Sequence, residues 1–142
     1  MAEKTTGELQ SELMNQPNLD EYIKSNSASF IRTHDIAELV TELYKKKPAP
    51  KALLARKAGM SEVYLHQVFS GRRRPSRDRL LCICIGLGAT LEETQLLLRQ
   101  ASYAQIYPRI RREAIICHGL IHGTGLEKIN DNLFAENEKT LY

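Results

Sequence analysis

Three consecutive arginines, Arg72, Arg73 and Arg74, stand near the middle of this 142-residue chain, and Glu62, His66 and Gln67 stand just before them. A row of guanidinium groups suits phosphate oxygens, to which each donates through a planar fork. Carboxamides and short side chains suit the edges of bases. Other groupings promise less. His118 and His122 are four apart beside Cys117, a spacing that can bring two imidazoles to a metal. No acidic or cysteine partner follows at a regular interval. Gly119, Gly123 and Gly125 predict that the helix ends there, so the two rings need not share a face. Cys82 and Cys84, two apart in an apolar helix, read as small core residues on different sides. No metal and no cofactor are expected. The chain has no Gly-rich phosphate loop, no His-Glu-x-x-His and no nucleophile elbow, so the expectation is that it is not an enzyme.

The charges are segregated. Residues 1–44 carry three basic and eight acidic side chains, net −5. Residues 45–79 carry eleven basic residues against Glu62 and Asp78, net +9, and residues 80–142 return to −1. The whole sums to +3, which conceals a central positive block fit to meet a polyanion. With 42% hydrophobic and 26% charged residues, the composition is that of a globular protein. No secretory signal is visible. The longest apolar run, residues 80–89, is interrupted by two glycines and is too short to cross a bilayer, so no membrane association is expected. Three cysteines are an odd number and read as reduced thiols, which predicts a cytoplasmic protein.

Helical periodicity runs through almost the whole chain, predicting an all-α fold. Short acidic helices are expected near 8–14 and 19–24, with caps at Thr6 and Asn18. Asp35 and Glu38 have capping-box spacing, as do Thr90 with Glu93 and Thr124 with Glu127. Pro75-Ser76 and Pro108 each predict a helix start. The expected organisation is an acidic N-terminal helical arm over 1–34, a five-helix domain over 35–102 and a two-helix C-terminal extension over 103–142. Apolar residues of the extension, among them Ile106, Ile110, Ile116, Ile121, Leu133 and Phe134, predict either packing on the core or a dimer interface.

Residues 51–71, KALLARKAGMSEVYLHQVFSG, set strict conditions on two short helices. Ala55 is small enough for the second helix to lie against the first, and Gly59 permits the positive φ that ends the first. Leu65 and Val68 then aim an apolar edge back at Leu54, Ala55 and Ala58. The Ala-x3-Gly-x5-Leu-x2-Val spacing is that of a DNA-binding helix-turn-helix, with Ser61 placed to cap its second helix. Over roughly residues 36–98 the chain resembles the phage-repressor and Cro-like helix-turn-helix family, often called XRE-like. LARKAGMS, SEVYLHQVFSG, and GRRRPS leading into LLCICIGLGATLEE carry the resemblance. Pro50 and Lys51 stand where that family has a Ser or Thr cap and a Gln. The segment LLRQASYAQIYPRIRREAII looks like an extension found in some small bacterial regulators.

The resemblance implies sequence-specific binding of double-stranded DNA by a bacterial transcription regulator. Ser61, Glu62, Val63, His66, Gln67 and Ser70 are then expected to face bases in the major groove. Gln67 would pair with adenine, Val63 would pack on a thymine methyl, and Glu62 would accept from cytosine. Arg72, Arg73 and Arg74 are the expected phosphate contacts, with Lys51, Tyr64 and Arg77 behind them. Phe69 reads as a core or hinge aromatic. The alternative is an adaptor that keeps the fold and binds an acidic protein. A homodimer would let such a regulator span two half-sites.

Overall fold

The computed structural model describes residues 4–29 and 35–142. Among these residues there are nine α-helices and no strand, so the fold is all-α. None of the described helices is long and apolar enough to cross a membrane. The chain divides into two compact units, Met1–Arg32 and Thr33–Tyr142. The expected end of the N-terminal arm, at residue 34, lies outside the described residues.

In the first unit, α1 (Thr6–Asn15) is capped by Thr5, one residue before the expected Thr6. Thr5 and Glu8 satisfy each other's backbone amides, a reciprocal box that Thr6 has no partner to make. Asn18 caps α2 (Leu19–Ser25) as expected, and a 3-10 turn follows at Ser27–Ser29. Lys4 and the Asn26 amide, the latter at 2.7 Å, both donate to Glu12 and hold its carboxyl below the usual range.

The second unit contains α3 (Ile36–Lys46), α4 (Lys51–Lys57), α5 (Glu62–Phe69), α6 (Arg77–Leu87), α7 (Leu91–Gln100), α8 (Arg111–Ile121) and α9 (Leu126–Ala135). Helix α6 is the axis. From Leu80 to Ile85 every side chain is buried, and Leu87 with them. A helix apolar on all sides must be enclosed on all sides, and α4, α7 and α9 each pack on it. Burial pushes the Cys82 and Cys84 thiols up to about 12, so both remain neutral inside the core.

Helix caps follow local chemistry. Ser76 caps α6 through the Arg79 amide, and Thr90 with Glu93 makes a full box on α7. Asp35 accepts from the Ala37 amide. Two expected starts shift. Pro108 does not open α8; it occupies the second place of a turn closed by the Ile110 amide on the Tyr107 carbonyl at 3.0 Å, a position that suits its fixed φ. Thr124 does not cap α9: its amide donates to the Gly119 carbonyl at 2.8 Å in the turn that ends α8, and the next helix begins at Leu126, with Gly125 before it and no side-chain cap.

The C-terminal segment packs into the same core. Ile106, Ile116, Leu120, Leu126, Ile129 and Leu133 are buried with the α6 residues, while Ile110, Ile121 and Phe134 stay exposed. Adjacent residues of α6 and α8 pair crosswise. Arg77 binds Glu113 through both carboxylate oxygens, and Arg112 binds Asp78 at 3.1 and 3.3 Å. Arg112 also donates to the Lys139 and Thr140 carbonyls, and the Leu141 amide donates to buried Asn130 at 2.7 Å.

Where α8 meets α9, a Cβ at Gly119 would lie 2.4 Å from the Ile129 Cδ1 atom. Gly119→Ala gains about 1 kcal/mol of helix propensity. Overpacking against fully buried Ile129 costs about 1–3 kcal/mol. The variant is expected to be less stable than the wild type, read as a lower urea midpoint; an unchanged or higher midpoint would show that the two helices are not so close. Cys82 and Cys84 should react with a thiol reagent only at the rate of unfolding, and modification of both in native buffer without loss of helicity would contradict the enclosed α6.

Candidate nucleic-acid interface

The turn between α4 and α5 depends on Gly59. Its φ is +64°, and a Cβ there would come within 2.7 Å of the Tyr142 ring. Beyond it, the Ser61 hydroxyl accepts from the Tyr64 amide at 3.1 Å and starts α5. Leu65 and Val68 are buried with Leu54, Ala55 and Ala58, so α5 rests on α4 through one apolar edge. The opposite edge is open. Ser61, Glu62, Val63, His66 and Ser70 are exposed, Val63 to 67%, and Tyr64 and Gln67 are half-buried. Among the described residues, nothing bonds to the side chains of Glu62 or His66.

After α5 the chain reverses at Gly71 (φ +80°) and presents the arginines, all three exposed and none in an ion pair among the described residues. They are not equivalent. Arg72 has no side-chain partner among the described residues. Arg73 donates from Nε to Gln67 Oε1 at 3.1 Å and lies 5.4 Å from the Tyr64 ring centroid. Arg74 donates to the Ala101 carbonyl at 2.8 Å and lies over Tyr103, whose hydroxyl in turn donates to the Pro75 carbonyl at 2.5 Å. The loop is thereby fastened to the end of α7.

Two residues expected beside the arginines have partners of their own. Arg77 has turned inward, donating to Glu113 and to the carbonyls of Ala104 and Gln105, so its charge is neutralised inside the fold. The reason is Glu113 itself. It is only 6% exposed, and a buried carboxylate requires a partner. The Lys51 ammonium lies 4.7 Å from the Phe69 ring centroid and 5.9 Å from that of Tyr44, and those two rings meet edge to face. Lys51 thus ties α3, α4 and α5 together. Pro50 leaves α4 without a side-chain cap.

Several positioning residues gave no signal in the sequence. Arg79 spans from the Gly59 carbonyl, at 3.4 Å, to the face of Tyr64 at 5.5 Å. Tyr103 and Glu113 act across about 30 residues of chain, a range no local pattern reaches. The His pair also differs from expectation. Helix α8 continues through Gly119 to Ile121, so the rings of His118 and His122 do share a face, with centroids 4.3 Å apart. Gly119 serves close packing there instead of ending the helix. Cys117 is buried away from solvent, and no group of three or more potential ligands forms among the described residues.

A groove of about 630 Å³ between the ends of α4, α6 and α8 takes in Arg56 and Lys57 but none of the α5 or loop residues above. The two classes of arginine should separate in stability measurements. Arg77→Ala strands Glu113 and is expected to cost about 3–5 kcal/mol, whereas Arg72→Ala should stay within about 0.5 kcal/mol. Equal urea midpoints for the two variants would refute the division. In comparisons with known proteins, no protein-family model, no curated protein and no solved structure matches this chain.

Proposed function

We propose that the chain is a sequence-specific double-stranded DNA-binding protein, a transcription regulator of the XRE-like kind, in which α4 and α5 form the helix-turn-helix of a five-helix domain over 35–102. One observation carries the reading: the open edge of α5 lies beside three exposed arginines that have no acidic partner among the described residues. Ser61, Glu62, Val63, His66, Gln67 and Ser70 face the bases, and α5 enters the major groove by its capped N-terminal end. Arg72, Arg73 and Arg74 lie along phosphates, supported by Tyr64 and by Lys51. Arg77 leaves that set, because its donors are committed within the fold. No catalytic step is assigned. Reduced, buried thiols accord with a cytoplasmic protein.

Selection of bound duplexes from a random pool at two salt concentrations tests this directly. An enriched motif, with affinity falling steeply as salt rises, is expected. Arg72→Ala should weaken all sequences alike and reduce the salt slope by about 1. Binding without enrichment would leave only a nonspecific role. No binding at either salt would transfer the positive surface to the adaptor reading, with an acidic protein as partner.

A homodimer belongs to the same proposal. The exposed apolar residues Ile110, Ile121 and Phe134 (77% exposed) lie on the α8 and α9 segments, which also form a groove lined by Ala114, Ile115 and Ala135. The Arg111–Glu136 ion pair borders that groove, so a two-fold copy can meet opposite charge with apolar surface beside it. Sedimentation should show a dimer, and Phe134→Glu should yield a monomer of unchanged fold. A wild-type monomer at the concentrations of the binding assay would remove the dimer from the proposal.

A further inference from the structure

Gln67 and Arg73 are joined through both backbone and side chain. The amides of Arg72 and Arg73 donate to the Gln67 carbonyl at 3.0 and 3.2 Å, and the Ser70 hydroxyl donates to the same oxygen at 3.1 Å. These bonds fold the chain back over the end of α5 and set Arg73 beside Gln67. The second link follows from that placement. Arg73 Nε donates to Gln67 Oε1 at 3.1 Å, and Tyr64 lies against the guanidinium.

The chemistry of the donor fixes the carboxamide's orientation. An arginine Nε–H has a hydrogen to give and no available lone pair, so the atom facing it is the Gln67 oxygen and the amide NH2 faces away. Gln67 therefore offers its Nε2 hydrogens. Arg73 adds those of Nη1 and Nη2, which have no partner among the described residues. The outward face of the pair is rich in donors, and the one lone pair left on Gln67 Oε1 lies beside the guanidinium.

That matters for which base the site accepts. Adenine shows an acceptor at N7 and a donor at N6, and a glutamine reads it by donating to one and accepting from the other. The oxygen needed for the second bond keeps one lone pair, but an adenine amino group brought to it must stand against the hydrogens of the cation already bonded there. Guanine shows two acceptors, N7 and O6, which match the donors of Gln67 Nε2 and the Arg73 Nη atoms without that conflict. We propose that Gln67 and Arg73 act as one unit that selects guanine, in place of adenine recognition by Gln67 alone and of a phosphate contact by Arg73, which leaves Arg72 and Arg74 to the phosphates. This rests on the reading that α5 enters the major groove.

The test is duplex selection with the full chain as wild type, Gln67→Ala, Arg73→Ala and Arg73→Lys, each first shown to keep the wild-type unfolding midpoint. The wild type should enrich guanine at one position, favoured over adenine by about 5- to 150-fold. Gln67→Ala should reduce that preference. Arg73→Ala releases the Gln67 oxygen and should turn the same position toward adenine, and Arg73→Lys should do likewise because a lysine has no Nε fork. An enriched wild-type motif with adenine at the Gln67-dependent position overturns the inference and leaves the DNA-binding proposal standing. So does an Arg73→Ala variant that binds all sequences more weakly without changing the motif. A wild type that enriches nothing overturns both.

Discussion

The need to enclose α6 governs the second unit. Its residues from Leu80 to Ile85 have no solvent-facing side, and burying each large aliphatic side chain is worth about 1.5–3 kcal/mol. That gain is available only if neighbours stand on every flank. Helices α4 and α7 supply some of the cover, and α9 supplies more through Ile129 and Leu133. The C-terminal helices therefore share the hydrophobic core of the candidate interface's own scaffold. A change at Ile129 is felt at the helix on which α4 rests, and α4 in turn carries α5.

The cross-paired residues of α6 and α8 add direction to that packing. Apolar contact is tolerant of rotation and sliding, whereas Arg77 with Glu113 and Arg112 with Asp78 fix which turn of α8 faces which turn of α6. They also hold the start of α6, where Pro75 and Ser76 end the arginine loop. One end of that loop is set by the α5 terminus and the other by this clamp, with Arg74 and Tyr103 fastening the middle to α7. The positions of the arginines are thus decided by contacts far from them in sequence.

Local chemistry was readable from the sequence and distant chemistry was not. The caps at Asn18, Asp35, Ser61, Ser76 and Thr90 follow from short polar side chains set before apolar periodicity. The inward aim of Leu65 and Val68 follows from the 3.6-residue repeat. Pro108 and Thr124 each have two permitted roles, helix start or turn, and the backbone bonds of Ile110 to Tyr107 and of Thr124 to Gly119 decide between them. Gly119 resembles a helix stop in the sequence because its packing partner, Ile129, lies on another helix. Arg77 looks the same as its neighbours in a run of charge; what separates it is a buried glutamate 36 residues later.

The division among the arginines has an energetic counterpart. Fixing a long side chain on binding costs about 0.5–1.5 kcal/mol in lost rotamer freedom. Arg73, stacked on Tyr64 and bonded to Gln67, and Arg74, stacked on Tyr103 and bonded to Ala101, have met much of that cost in folding. Arg72 has not. On the nucleic-acid reading, the ordered pair supplies geometry: Arg74 fixes the register of the backbone, and Arg73 discriminates, because a misplaced base cannot be accommodated by swinging its side chain away. The free arginine supplies adaptable charge, which attracts any duplex and is the part most weakened by salt. Both kinds arise from three identical residues in a row, and the neighbours that the fold brings to each one make the difference.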